Sequence, residues 1–272
     1  MEMLKIRPCP NCGGRNWRSK LKEPPFVVVK CPSCSLVYLG NPPEEEVGLY
    51  DYYHSAADPG SAEYQFNSSN RRLGELYAIN EQRIARIKLL KPGSTLLDVG
   101  CGRGEFLKTA REHGYQACGI DASERAVSYA RQEFGLSAEV RSLREMAVSG
   151  EQFDVVTLWH VLEHFTEPYE ALRQIRHLLK GDGICAIEVP NLYSIKFVLS
   201  RAKWEGGNHP LYHRTFFTAA TLRDGLRRVG FSRVHRVRWS YHVPGRSGLY
   251  ELLKRSLNVV GLDAFLDFVA WK

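Results

Sequence analysis

No apolar run in this chain approaches the roughly 20 residues that cross a bilayer. The first ten residues, MEMLKIRPCP, lack the apolar core of an export signal. These two absences argue against a membrane-spanning or secreted protein and make a cytoplasmic one the expectation. Acidic charge is scarce only in places. The net charge is +7, but residues 1–92 carry +3, residues 93–170 carry −6 and residues 171–272 carry +10. A basic C-terminal third suits an anionic ligand, such as a phosphate-bearing sugar or RNA, and equally suits a solvated arginine face. The chain's 272 residues are enough for a full hydrophobic core and one small extra module.

Four of the seven cysteines fall in a C-x2-C-x18-C-x2-C pattern, Cys9-Pro-Asn-Cys12 and Cys31-Pro-Ser-Cys34. Each short turn aims two thiolates at one point. Together the four complete a tetrahedral Zn²⁺ shell with no open position, so the site is structural and not catalytic. A strand at Phe26–Lys30 and another at Leu36–Leu39 make residues 1–40 a zinc ribbon whose metal supplies stability that so small a module lacks. Cys101, Cys118 and Cys185 sit in apolar segments and are expected as small core residues. Residues 41–92 form a helical cap or linker. A short helix there carries Tyr50 and Tyr53, and an amphipathic helix, Arg71–Leu90, presents Leu73, Leu76, Tyr77, Ile84, Ile87 and Leu90 on one face.

The segment Ser94–Gly104, STLLDVGCGRG, reads as a buried strand, a glycine turn and a helix start. Its spacing is not the G-x-G-x-x-G of a dinucleotide site. Gly100, Cys101, Gly102 and Gly104 follow an acid, Asp98. A carboxylate there repels a pyrophosphate and attracts a sulfonium or ammonium. Strands and helices then alternate. A second strand ends in Asp121, which lies 21 residues after Gly100 and is placed to accept from both ribose hydroxyls of a nucleoside. Phe153–Leu158 is a fourth strand. It leads into Trp159-His160-Val-Leu-Glu163-His164 at the carboxyl end of the sheet, where open α/β sheets bind ligands. The letters H-x-x-E-H match an inverted zinc-protease motif. Such a motif belongs mid-helix, whereas this one starts right after a strand, so a protease is rejected. A fifth strand, Ile184–Val189, a sixth at Phe231–Ser240 with Arg233, Arg236 and Arg238 outward, and a closing antiparallel strand at Phe265–Trp271 complete the pattern.

The order acid-Gly-x-Gly-x-Gly, strand-plus-Asp, FDVVTLWHVLEHFTEP and LLKGDGICAIEVPN resembles the class I S-adenosylmethionine-dependent methyltransferases over about 140 residues. It is most similar to their quinone and small-molecule O-methyltransferase branch. The resemblance implies a doubly wound α/β fold, with a mostly parallel seven-stranded sheet in residues 93–272 and a helical insert at about 245–262. It implies S-adenosylmethionine as methyl donor and S-adenosylhomocysteine as product. The cofactor would be held by Asp98, Gly100, Cys101, Gly102, Gly104, Asp121, Ala122, Trp159 and His160. Ser142 and Leu143 stand where many such enzymes carry an acid near adenine, which leaves that base to backbone contacts and an apolar wall. The branch also carries a carboxylate-rich divalent-metal patch. Glu163 and His164 match it, and His160 replaces a carboxylate.

His160, His209 and His213 are the candidate catalytic residues, with Tyr212 and Arg214 as further acceptor contacts. His160 would serve as a substrate contact or as the general base. The expected reaction is O- or C-methylation of a small acceptor of sugar, quinone or secondary-metabolite type, by a monomer or homodimer. One alternative is an RNA methyltransferase gripping through the ribbon and the basic C-terminal third. The other is a non-catalytic cofactor-binding scaffold.

Overall fold

The computed structural model describes residues 6–23, 25–43, 70–195, 212–239 and 262–272, with the single residues 197, 210 and 256. The expected helix bearing Tyr50 and Tyr53, His209, and the insert at 245–262 apart from residues 256 and 262 lie outside the described residues. Among the described residues no helix is long and apolar enough to cross a membrane.

The larger sheet has seven strands in the order β6-β5-β4-β7-β8-β11-β10. Its central strands, β4 (Thr95–Val99), β7 (Phe153–Trp159) and β8 (Leu179–Pro190), the last from Ile184 onward, are nearly continuous apolar runs buried on both faces. β5 (Gln116–Asp121) and β6 (Ser137–Val140) extend the parallel part on one side. β11 (Phe265–Trp271) and β10 (Arg233–Arg236) close the other side antiparallel. Successive strands run outward from β4 to β6, and then the chain crosses back to place β7 on the opposite side of β4. That reversal opens a crevice at the carboxyl ends of β4 and β7.

The helices bounded within the described residues are α1 (Asn70–Leu90), α2 (Glu105–Glu112), α3 (Glu124–Phe134), α4 (Leu143–Ala147), α5 (Pro168–Leu178) and α6 (Ala219–Arg228). Local sequence sets their ends. Ser123 accepts from the Ala126 amide at 3.3 Å, and Thr218 forms a capping box with Thr221. The apolar face of α1 packs Ile84 and Ile87 against Leu96, Phe106 and Val155, so this helix belongs to the main core.

The smaller sheet is antiparallel: β1 (Arg18–Glu23), β2 (Phe26–Lys30), β3 (Val37–Leu39) and β9 (Thr215–Phe216). β9 follows β8 in the chain and pairs with β3, Val37 opposite Phe216 and Tyr38 opposite Thr215. Val27, Val29, Leu36 and Tyr38 share one apolar cluster with Tyr169, Leu172, Phe217 and Leu222. The Arg7 guanidinium ties the ribbon to the loop before α5, donating to the Thr166 carbonyl at 2.7 Å and to Glu167 Oε1 at 2.9 Å.

The four ribbon sulfurs lie within 4.8 Å of one another, with Cys9–Cys34 and Cys12–Cys31 each at 3.5 Å. A tetrahedron with Zn–S bonds of about 2.3 Å has sulfurs about 3.8 Å apart, so the set fits Zn²⁺. The two turns are copies of one another. Gly13 N–H donates to the Cys9 carbonyl at 2.8 Å, and Ser35 N–H donates to the Cys31 carbonyl at 2.9 Å. Gly13 and Ser35 have φ of 69° and 62°.

Two local expectations are corrected. The sixth strand is only Arg233–Arg236, and Arg236 turns to pair with Asp263 instead of pointing outward. The turn Lys180–Gly183 lies inside β8 as a bulge, the register stepping from Leu179 opposite Phe153 to Ile184 opposite Val155. After Trp159 the chain makes a short 3-10 turn, Leu162–His164, and no α-helix carries the two histidines.

Candidate active site

The glycine turn follows β4 with Gly100, Gly102 and Gly104 all at positive φ. At Gly100 a Cβ would sit 2.4 Å from Val161 Cγ2, so the absent side chain lets the turn close against the loop after β7. At Gly102 a Cβ would meet nothing within 4 Å, so this backbone faces open space. The Asp121 carboxylate latches the turn. It accepts from Gly102 N–H at 2.8 Å and from Ser123 N–H at 2.9 Å. The open face at Gly102 beside a carboxylate at the tip of β5 fits a nucleoside. Ala122 is exposed at that tip and Cys101 is buried behind the turn.

Asp98 is buried in the β4 end. Burial pushes its carboxyl up to about 7, against the pull of the Thr157 hydroxyl, which donates to Oδ1 at 2.6 Å. Ser142 caps α4 in a capping box with Glu145, so its hydroxyl is engaged locally, while Leu143 is buried.

The carboxyl ends of β7 and β8 gather charge. Trp159 is edge-on to Phe106 and Trp239 at 5.1 and 5.6 Å, under the Arg83 guanidinium at 4.2 Å. His160 leaves β7 at φ 58°, a left-handed conformation that is uncommon for a side-chain-bearing residue. Its backbone N–H donates to the Glu188 carbonyl at 2.9 Å, and its Nε2 lies 2.9 Å from Glu188 Oε1. Burial works against its charge, but Glu163 and Glu188 outweigh that and raise its pKa to about 9. Glu188 itself is buried, and burial is overcome by Arg83 and His160, which hold it well below the usual carboxylate range. On the far side of His160, Glu163 is 1 % exposed, and neither carboxylate oxygen has a hydrogen-bond partner among the described residues. The ligand atoms of Glu163, His164 and His213 lie within 4.8 Å of one another. Burial and the neighbouring His164 push His213 down to about 3, so it is neutral near physiological pH. A buried carboxylate without a donor, beside two imidazoles, fits a divalent cation.

A family model described as "Methyltransferase domain" matches residues 70–236. The chain belongs to this methyltransferase family. A ubiquinone biosynthesis O-methyltransferase of Cereibacter sphaeroides is 31% identical over 173 residues, covering 57% of this chain and 69% of that one. The enzyme of the same description from Stutzerimonas stutzeri is 34% identical over 116 residues, covering 40% and 50%. Among solved structures, the plantazolicin methyltransferase BpumL in complex with S-adenosylhomocysteine and a monoazolic desmethylPZN analog aligns with TM-score 0.57 at 19% identity, over 82% of this chain and 95% of that one. A methyltransferase from Archaeoglobus fulgidus aligns with TM-score 0.53 at 21% identity, over 78% and 100%. This methyltransferase is S-adenosylmethionine-dependent and shares their Rossmann-like fold.

In this methyltransferase the structure brings Asp98, the glycine turn and Asp121 to one corner, and Trp159, His160 and His213 to the next. Sequence reasoning passed over Arg83 and Glu188. Each carried a signal: Arg83 stands on the apolar face of an amphipathic helix, and Glu188 is a lone carboxylate in ICAIEVP. Asp267 stands out in the same way in FLDFVAW.

Proposed function

We propose that this methyltransferase methylates an oxygen of a small, phenol- or quinol-like acceptor bound against Trp159, His160 and the 212–216 segment. One observation carries the reading. Arg83, His160, Glu163 and Glu188 converge from three segments at the crevice mouth, and all but His160 are buried. A fold does not need such a cluster, because buried charges cost stability unless they are paired. The named O-methyltransferase relatives supply the acceptor class.

S-adenosylmethionine, when bound, supplies a methyl group already activated on a sulfonium. The chain's residues bind, orient and move protons around it. Gly100, Gly102 and Gly104 shape the backbone on which the cofactor rests, and Asp121 holds its ribose. Asp98 offers negative charge toward the amino-acid end. His160 is held by Glu188 through Nε2 and faces Glu163 through Nδ1, so it sets positive charge beside the acceptor and does not remove the proton. His213, neutral and buried beside Glu163, is placed to hydrogen-bond the acceptor's oxygen; a base pushed down to about 3 does not hold the proton that oxygen loses, which passes to solvent.

The test is transfer of labelled methyl from S-adenosylmethionine to catechol-like acceptors. His160→Ala is expected to lower turnover at least tenfold and to change S-adenosylhomocysteine affinity less than threefold. Equal turnover in wild type and variant removes His160 from the reaction. Acceptance of RNA alone, with binding that falls steeply in salt, replaces the small-molecule reading.

A further inference from the structure

We infer that Phe265 is the platform on which an aromatic acceptor ring stacks, with His160 at the polar edge of that ring. The inference rests on the reading of this crevice as the acceptor site and names the shape of what fills it.

The register of β8 and β11 builds the platform. Residues directly opposite in an antiparallel pair point to one face, and every second pair shares that face. Three such pairs run from the middle of the sheet to its rim: Val269 with Ala186, Asp267 with Glu188, and Phe265 with Pro190. The first pair is buried and apolar, and the second is buried and charged. At the third, Phe265 is 42 % exposed.

A single exposed ring is ordinary on a protein surface. This ring has company at the site. It meets the His160 imidazole with centroids 4.8 Å apart and planes at 70°. The His160 side chain is itself 37 % exposed, so the two rings border solvent together. Among the described residues the exposed large aromatics are Trp17, Tyr193 and Phe265. Two of them lie at the end of β8, Phe265 opposite Pro190 and Tyr193 three residues beyond it.

Both rings are held before a ligand arrives. Asn191 is buried, and it donates from its N–H to the Ala264 carbonyl and from Nδ2 to the Asp263 carbonyl, each at 2.9 Å. Its Oδ1 accepts from Tyr193 N–H at 3.0 Å. One side chain thus ties the start of β11 to the end of β8. Glu188 fixes His160 at its backbone N–H and at Nε2. A platform already ordered loses little affinity to entropy on binding.

The chemistry of the rim selects the ring. The side chains of Phe265 and Pro190 neither donate nor accept hydrogen bonds. A sugar carries hydroxyls around most of its ring, and several would be left unpaired there. A phenol or catechol lays its apolar face on Phe265 and keeps its oxygens on one edge. At that edge the imidazole, set between Glu163 and Glu188, carries positive charge.

The experiment is an NMR titration of the full chain saturated with S-adenosylhomocysteine. The probes are catechol and its saturated counterpart, trans-1,2-cyclohexanediol. Wild type should bind catechol about tenfold more tightly than the diol. Phe265→Leu should weaken catechol about fivefold and bring the two probes within about twofold of each other, while Phe265→Trp keeps the preference. Both variants should retain S-adenosylhomocysteine binding. In the wild-type complex, the bound catechol protons should shift upfield and cross-relax with the Phe265 ring, a readout that needs no variant. No catechol binding, equal binding of the two probes, an undiminished preference in Phe265→Leu, or cross-relaxation only with other side chains overturns the inference. Transfer to phenols with an unchanged KM in Phe265→Leu sinks only the platform. Catechol stacked on Phe265 with no transfer to any phenolic acceptor sinks only the functional reading.

Discussion

Asp98→Asn should make this methyltransferase more stable and a poorer binder of its cofactor. Asp98 is fully buried, and burial raises its carboxyl from an ordinary 3.8 to about 7. An acid whose pKa is higher in the folded state favours folding when protonated. Its contribution is fully present below the unfolded value of 3.8 and is lost as pH rises through about 7. A displacement of that size corresponds to about 4 kcal/mol between the two protonation states. Asparagine is nearly isosteric, and its Oδ1 can still accept from the Thr157 hydroxyl that now donates at 2.6 Å. The stability gap between variant and wild type should therefore be under about 1 kcal/mol at pH 4 and widen to about 4 kcal/mol by pH 8. Urea unfolding of both proteins without cofactor across that range measures it, and groups common to both cancel in the difference. Calorimetry with S-adenosylhomocysteine should show weaker binding to the variant. In the wild type, binding should weaken as pH falls below 7, because the cationic amino-acid end needs the ionised carboxylate. A stability gap that does not change with pH refutes the reasoning.

Gly100→Ala should cost about 2–4 kcal/mol, from a left-handed backbone and a Cβ 2.4 Å from Val161 Cγ2; thermal unfolding of Gly100→Ala with Val161→Ala should recover the steric part and leave about 1 kcal/mol. Arg83→Met removes the cation paired with buried Glu188 and should lower stability by about 3 kcal/mol in urea melts, with a change under 1 kcal/mol showing that the pair is dispensable. Cys31→Ser should abolish ribbon zinc by metal analysis and slow methyl transfer, because β9 and the His213 segment pair with the ribbon edge; full activity in a zinc-free protein would show the two to be independent.

Much of the cofactor corner was legible because its signals are local. A strand of Leu96, Leu97 and Val99, an acid and alternating glycines specify a tight turn through backbone conformation alone, and the β5-end aspartate sits at a fixed distance along one βαβ unit. The ribbon was legible for the same reason: two C-x2-C turns each close within four residues, and geometry brings the four sulfurs together. Helix caps such as Ser123 and Thr218 also obey nearest-neighbour chemistry.

Tertiary structure alone decided which distant side chains meet. Arg83 reaches Glu188 across 105 positions, and His160 turns its Nε2 to the same carboxylate while its Nδ1 stays 3.7 Å from Glu163. β9 joins the ribbon across strands β4 to β8, which no period in the sequence announces, because a two-residue strand has no pattern of its own and takes its pairing from the edge it finds. Local turns, caps and strand patterns are written in short stretches of chain. The reacting end of the site depends on charges that tolerate burial only when the completed fold presents a partner, and those partners are chosen by packing.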